Sequence, residues 1–270
     1  GNRDNKFKAR IKILVKALGA EKYRELTEAE FAELKDGPMT LTEEEVARIQ
    51  GCFTEPAYRD DVDSGVLDQA LQENRAFNRW YHTNTRAHKR DGYRSVTLTL
   101  KKTGRIPGDV SDEQLEAIAD LADRYSFGEL RNTHQQNMVL SDVATDDLFA
   151  LWEKLDALGM ATPNLGLLTD IVACPGCDLC ALANAKSVPV AEGIQRRFDD
   201  MDYVHDLGPL DINISGCMNA CGHHHIGHIG ILGVDKKGKE FYQITLGGRG
   251  DKLSRIGEKM GPSFESFEVT

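Results

Sequence analysis

Five of the chain's six cysteines fall between positions 174 and 221. The stretch "ACPGCDLCA" carries Cys174, Cys177 and Cys180, and "GCMNACGHHH" carries Cys217 and Cys221, followed by His223, His224 and His225. Thiols grouped in this way suit metal or redox chemistry better than disulfides in an intracellular chain. Three arrangements fit the spacing. The run C-x2-C-x2-C opens like a bacterial ferredoxin pattern, with a fourth ligand from Cys217 or Cys221, although Ala181–Asn184 lacks the cysteine that would continue it. Alternatively, Cys174 with Cys180 (C-x5-C) and Cys217 with Cys221 (C-x3-C) give two thiolates per loop for a four-iron cluster, leaving Cys177 spare. A structural zinc site of mixed Cys and His is the third arrangement, but three consecutive histidines cannot all aim at one ion. His228 reads as a residue of a sheet, and Cys52, far from the rest, as a structural thiol.

The rest of the chain bounds the chemistry. Its 270 residues, 40% of them hydrophobic, suffice for two compact domains with buried cores. A formal net charge of −10 argues against a general nucleic-acid binder, so any cationic site must be local. No apolar run approaches the roughly 18 residues of a membrane span, and the first residues do not resemble a signal peptide. A cytoplasmic location with no membrane partner is expected. An opening without Met inside a helical pattern, and an end at "GPSFESFEVT", suggest a piece of something longer.

The elements that must position the thiols follow from periodicity. Phe7, Ile11, Leu14, Val15 and Leu18 recur at helical spacing over Lys6–Leu18, with Gly19 as a stop. Further helices are expected over Tyr23–Leu34 and, behind a Thr42/Glu45 capping signature, Glu43–Ile49. Gly51–Arg79 is polar and reads as a linker. "SVTLTL" alternates like a half-buried strand, and Ser111 with Gln114 opens a helix bearing Leu115, Ile118, Leu121 and Tyr125. Strands near Glu129–Thr133 and Asn137–Leu140 and a helix over Asp146–Leu158 complete a β-α-β-β-α order, which predicts a ferredoxin-like half-domain. Beyond it, "LLTDIVAC" and "LDINISGC" read as strands delivering Cys174 and Cys217, with an alanine-rich helix after Cys180. A final hairpin turns at Asp235–Gly238. Each cysteine cluster therefore sits in a loop just after a strand, where backbone amides can point at sulfur.

C-x5-C followed 36 residues later by "SGCMNACG" resembles the siroheme and 4Fe-4S hemoproteins that reduce sulfite and nitrite. The family usually shows Cys-Thr-Gly and Gly-Cys-Pro-Asn, where this chain has Cys174-Pro175-Gly176 and Gly216-Cys217-Met218-Asn219. "GNRDNKFKARIK", "HKRDGYRSVTLTLKKTGRIPGD…RNTHQQNMVL" and "LGGRGDKLSRIG" extend the similarity over nearly the whole chain. The resemblance implies an α+β fold, with a ferredoxin-like half-domain followed by a mixed α/β siroheme and 4Fe-4S binding domain. It implies segments at 1–90 (end of a first cofactor domain plus helical linker), 91–160 (half-domain) and 161–270 (cofactor domain).

By the same resemblance Cys174, Cys180, Cys217 and Cys221 hold the cluster, and Cys221 also bridges to the siroheme iron, leaving the histidines as bystanders. Siroheme carries many carboxylates that need partners when buried. Arg3, Lys6 and Arg10, on one face of the first helix, match positions that meet them. Arg131, Gln136 and Asn219 are further candidate contacts, and Arg86, Lys89, Arg90 and Arg94 could serve the cofactor or an acidic electron donor. The implied reaction is six-electron reduction of sulfite to sulfide, with nitrite to ammonia or an iron–sulfur electron-transfer module as alternatives. The electron donor would be ferredoxin or a flavoprotein reductase. The family's substrate-clasping Arg and Lys residues come from a first half that this chain lacks.

Overall fold

The computed structural model describes residues 4, 5 and 9–270. The chain forms two compact units, one up to Ala57 and one from Tyr58 to Thr270. The first is helical, with α1 (Ile11–Leu18), α2 (Ala20–Leu34) and α3 (Glu43–Gln50). The helix expected from Lys6 begins at Ile11, and residues 6–8 lie outside the described set. Gly19 takes a φ of 82° between α1 and α2, a conformation that costs glycine little. Thr42 caps α3 by accepting from the Glu45 amide.

The expected linker over 51–79 is a correction: it contains α4 (Ser64–Glu73) and the start of α5 (Arg75–Asn84). Asp63 caps the first through the Gly65 amide and Asn74 the second through the Phe77 amide. The stretch is polar on average, yet Leu67 and Phe77, with Trp80 just beyond it, fall on buried faces, and the two aromatics are fully enclosed. A few large side chains at helical spacing outweigh many polar ones.

The half-domain follows as β1 (Thr85–Ala87), β2 (Tyr93–Leu98), α6 (Asp112–Tyr125), β3 (Arg131–Asn132), β4 (Met138–Ala144) and α7 (Leu148–Ala157). Its antiparallel sheet has the order β1-β2-β4-β3. Ser111 and Gln114 form a complete capping box on α6. Leu115, expected on the inner face, is exposed, whereas Ile118, Leu121, Ala122 and Tyr125 pack with Val96, Leu98, Leu140, Leu148, Leu151 and Leu155. The strand expected to be half-buried is covered on both faces, since Thr97 and Thr99 are buried as well.

The last part is a five-stranded mixed sheet in the order β5-β6-β7-β8-β9, with β5 (Val172–Ala173), β6 (Ile212–Ser215) and β7 (Ile229–Lys236) parallel. β8 (Lys239–Leu246) and β9 (Glu258–Phe264) continue it as antiparallel strands, with β9 at the edge. Lys237 and Gly238 both have positive φ in the two-residue turn between β7 and β8, the primed geometry that follows strand twist. α8 (Val188–Arg197), α9 (Met201–Leu207) and α10 (Ser266–Val269) complete the part.

No helix follows Cys180 directly, and α8 begins only at Val188. The alanines are held by tertiary bonds instead: the Asn184 and Ala185 amides donate to Gly216 O (2.9 and 3.0 Å), and the Cys177 amide to Ala185 O (3.1 Å). These override the alanines' helix propensity.

A buried polar seam joins half-domain and sheet. Lys101 Nζ, fully enclosed, donates to Ile171 O (2.6 Å) and Gln135 O (2.9 Å) and lies 3.5 Å from Asp170 Oδ1. Asp170 also accepts from Asn137 Nδ2 (3.0 Å) and the Gly166 amide (2.9 Å). Burial pulls the Lys101 ammonium down and pushes the Asp170 carboxyl up, and each charge opposes the other's shift.

Candidate functional site

The two cysteine loops leave the sheet side by side, at the ends of the neighbouring parallel strands β5 and β6. The Cys174 amide donates to Ile214 O (3.0 Å), extending that pairing to the first thiol. Cys174 and Cys217 are buried, Cys180 is half-buried, and Cys177 and Cys221 are exposed. The loops touch through glycines: a Cβ on Gly216 would sit 2.7 Å from Ala185 O and 3.0 Å from the Gly176 Cα. Any side chain there would force the loops apart.

Cys174 Sγ accepts the Gly216 amide (3.0 Å) and lies 3.4 Å from the buried Ser187 hydroxyl. The Gly216 amide can only donate in this contact, whereas either atom of the Ser187 contact can. Around Cys177, partial desolvation, then the Glu240 and Asp178 carboxylates, push the thiol up from the ordinary range.

Cys221 opens onto a cavity of about 710 Å³ whose lining includes Arg86, His134, His223, His228 and Arg249. Walls come from both the half-domain and the five-stranded sheet part. Arg86 reaches the Thr83 and Thr85 carbonyls (2.7 and 2.9 Å), and Arg249 is held by Asp251 (2.6 Å). His228, read from sequence as a sheet residue, precedes β7 by one position and stands in the cavity wall. Its Nδ1 accepts the Asp211 amide (3.0 Å), so neutral His228 carries its proton on Nε2. His224 faces away from solvent against His225 (ring centroids 4.0 Å apart), and burial lowers its pKa to about 4.

Among the described residues, no three His, Cys, Asp or Glu side chains converge on a point that a metal ion could occupy. What fits a cluster is the donor set, with thiols on two loops knitted together and the Gly216 amide and Ser187 hydroxyl against the buried Cys174 sulfur.

The remaining candidates scatter. Gln136 is turned to the backbone, with Nε2 donating to Ala173 O (2.8 Å) and Oε1 accepting the Ala173 amide (3.0 Å), one residue before Cys174. Arg131 is exposed, pairs with Glu129 (2.6 Å), and is not part of the cavity lining. Asn219 is half-buried between the loop cysteines. Arg10 is exposed just before α1 and makes no side-chain capping bond, while Arg3 and Lys6 lie outside the described residues. Of the second basic run, Arg86 reaches the cavity. Arg90 pairs with Asp60, Arg94 donates to Thr85 Oγ1 (2.6 Å) and stacks on Tyr81, and Lys89 is exposed. Cys52 is exposed rather than packed in a core.

Sequence reasoning gave no role to Lys101, Asp170, Ser187 or His134, and Lys101, His134 and Arg249 stood only within longer matched stretches. A lysine inside the apolar alternation of "SVTLTLKK" was the available signal for the first. Ser187 and His134 carry none, because their positions depend on loop packing.

Two family models match this chain: the nitrite/sulfite reductase ferredoxin-like half domain over residues 87–158 and the nitrite and sulphite reductase 4Fe-4S domain over residues 167–267. "Sulfite reductase [ferredoxin] 2" of Mycolicibacterium paratuberculosis is 30% identical over 271 residues, covering 96% of this chain and 42% of that protein. "Ferredoxin--nitrite reductase, chloroplastic" of Arabidopsis thaliana is 29% identical over 223 residues, covering 78% and 36%. This chain thus spans well under half the length of these relatives. Among solved structures, the NirA protein of Mycobacterium tuberculosis superposes with a TM-score of 0.61 at 27% identity, covering 99% of this chain and 44% of that one. Taken with the two loops at the ends of β5 and β6, these matches show that the chain belongs to the nitrite and sulfite reductase hemoprotein family, of which it carries the ferredoxin-like half-domain and the 4Fe-4S domain.

Proposed function

We propose that this chain is the cofactor-bearing part of an enzyme that reduces sulfite to sulfide with six electrons, with ferredoxin as the electron donor. Members of the family carry siroheme and a 4Fe-4S cluster. In this reading Cys174, Cys180, Cys217 and Cys221 would hold the cluster, and Cys221 would also serve the siroheme. Residues 1–90 close a preceding cofactor domain, 91–160 form the half-domain, and 161–270 bind the cofactors. When bound, the cofactors would supply one-electron redox chemistry.

The observation that carries the reading is the opposite exposure of the thiols. Cys174 and Cys217 face inward, while Cys221, in the same pair of loops, opens onto a cavity with cationic and imidazole groups in its wall. Arg86 has carbonyl rather than carboxylate partners, so its charge remains for an anionic ligand. Arg249, already paired with Asp251, would exchange that partner for a cofactor carboxylate. His134, His223 and the Nε2 proton of His228 add hydrogen-bonding capacity. Asn219 and, more remotely, Arg3, Lys6 and Arg10 complete the candidate contacts. Gln136 acts through Ala173 on the Cys174 loop. Nitrite, giving ammonia, is the second reading, supported by relatives named for it.

Anaerobic expression with siroheme synthesis available, followed by visible spectra and iron and sulfide analysis, tests the proposal. The wild type is expected to show heme bands with about five irons per chain, four in the cluster and one in the heme. Cys221→Ser should perturb both centres together. Iron–sulfur absorbance with no heme band would mean either that the first half is needed to hold siroheme or that the chain is an electron carrier.

A further inference from the structure

Ser187 sits at the N-cap position of α8, where a serine hydroxyl ordinarily accepts an amide of the first turn. It makes no such bond. The side chain is fully enclosed, and the one partner found for its hydroxyl is Cys174 Sγ at 3.4 Å. The helix gives up a side-chain cap, and the hydroxyl lies against a sulfur instead.

The room for this hydroxyl is made by two glycines. A Cβ on Gly176 or on Gly216 would lie 3.0 Å from Ser187 Oγ, and the one on Gly176 would also come within 2.5 Å of the Ser187 amide nitrogen. The pocket around the hydroxyl is therefore built from both cysteine loops and the start of α8. With Cys174 as a free thiol, either atom of the contact can donate. Once iron has replaced the thiol proton, which leaves to solvent, the sulfur can only accept, so the Ser187 O–H becomes the donor. Reduction places further negative charge on the cluster and its sulfurs, and hydrogen bonds to those sulfurs stabilise the reduced form. The Gly216 amide is a second donor to the same sulfur, and no side-chain substitution removes it.

We propose that Ser187 is a positioning residue that raises the reduction potential of the iron–sulfur cluster by donating its hydroxyl hydrogen bond to Cys174 Sγ. The proposal rests on the reading that Cys174 holds the cluster. The test uses the full chain with its cluster assembled anaerobically, as wild type, Ser187→Ala and Ser187→Thr. Each is titrated potentiometrically with the reduced cluster followed by electron paramagnetic resonance. Iron–sulfur stretching bands are compared in light and heavy water.

Ser187→Ala is expected to keep wild-type iron and sulfide content, to titrate at a more negative potential, and to lose part of the heavy-water shift. Ser187→Thr, which retains the hydroxyl, is expected to stay near wild type. A Ser187→Ala variant that titrates with wild type overturns the proposal while leaving the cluster reading intact. A Ser187→Thr variant that shifts as far as Ser187→Ala, or loss of the cluster from both, assigns the effect to packing and equally overturns it. A wild-type chain that assembles no cluster removes the cluster reading itself.

Discussion

The half-domain and the cysteine-bearing sheet each bury an apolar core, but the two cysteine loops are held by other means. In the core of the half-domain, Phe77 and Trp80 of the preceding α5 pack against α7 and the sheet with no exposure. The region around the thiols relies on close backbone approach, with Gly176 against Gly216 and loop amides donating across to the neighbouring loop. Side-chain packing resists unfolding, whereas backbone contact fixes the position of a few atoms. The first kind of structure should fail by losing stability and the second by losing the cofactor.

The largest expected effect comes from pitting these two failures against each other. Trp80→Ala should lower unfolding free energy by about 3–5 kcal/mol, as for other buried aromatics, while the folded fraction keeps its iron. Gly216→Ala should cost about 1–3 kcal/mol from overpacking and yet abolish iron and sulfide binding. Urea unfolding and iron analysis on the same preparations check both. If Trp80→Ala strips the metal while Gly216→Ala retains it, the comparison is wrong.

A middle-sized effect should appear on acidification. His224 is enclosed with its pKa lowered to about 4, below the unfolded value of 6.5, so the unfolded chain binds the proton first. Stability is then lost as pH falls through the interval between those values, by up to about 3 kcal/mol in total. His224→Phe should flatten that slope in urea titrations at pH 7, 6 and 5. An unchanged slope would place the acid sensitivity elsewhere.

Arg131→Ala should have the smallest effect. The residue is exposed and paired only with Glu129 near it, so the change should stay within about 1 kcal/mol. Heme uptake by the variant, read from the visible spectrum, should match wild type, and a loss of uptake would return Arg131 to the cofactor contacts.

The difference between the regions also decides what could be read from sequence. Ser111 with Gln114, the alternation around Val96 and Leu98, and the helical spacing of Ile118 and Leu121 are local signals, and the half-domain followed from them. The thiol spacing and its flanking glycines were equally local, so the two loops were placed after their strands. Lys101, Gln136 and Ser187 were legible only in space. Gln136 grips a residue 37 positions away, and Lys101 one 70 positions away. The polar stretch over 51–79 misled because average polarity hid Leu67 and Phe77. The alanines after Cys180 misled because they are recruited by Gly216 rather than by one another.

The enclosed Lys101 has one more consequence. Its ammonium belongs to the half-domain by chain position, but Asp170 and the Ile171 carbonyl belong to the segment that leads to Cys174. Cutting the chain between residues 158 and 167, where one family match stops and the next begins, would leave a carboxylate without its counter-ion on one piece and, on the other, an ammonium that keeps the Gln135 carbonyl but loses the Ile171 carbonyl and Asp170. The boundary that marks two evolutionary modules is therefore a poor place for a protein engineer's scissors, and the two modules should melt as one cooperative body.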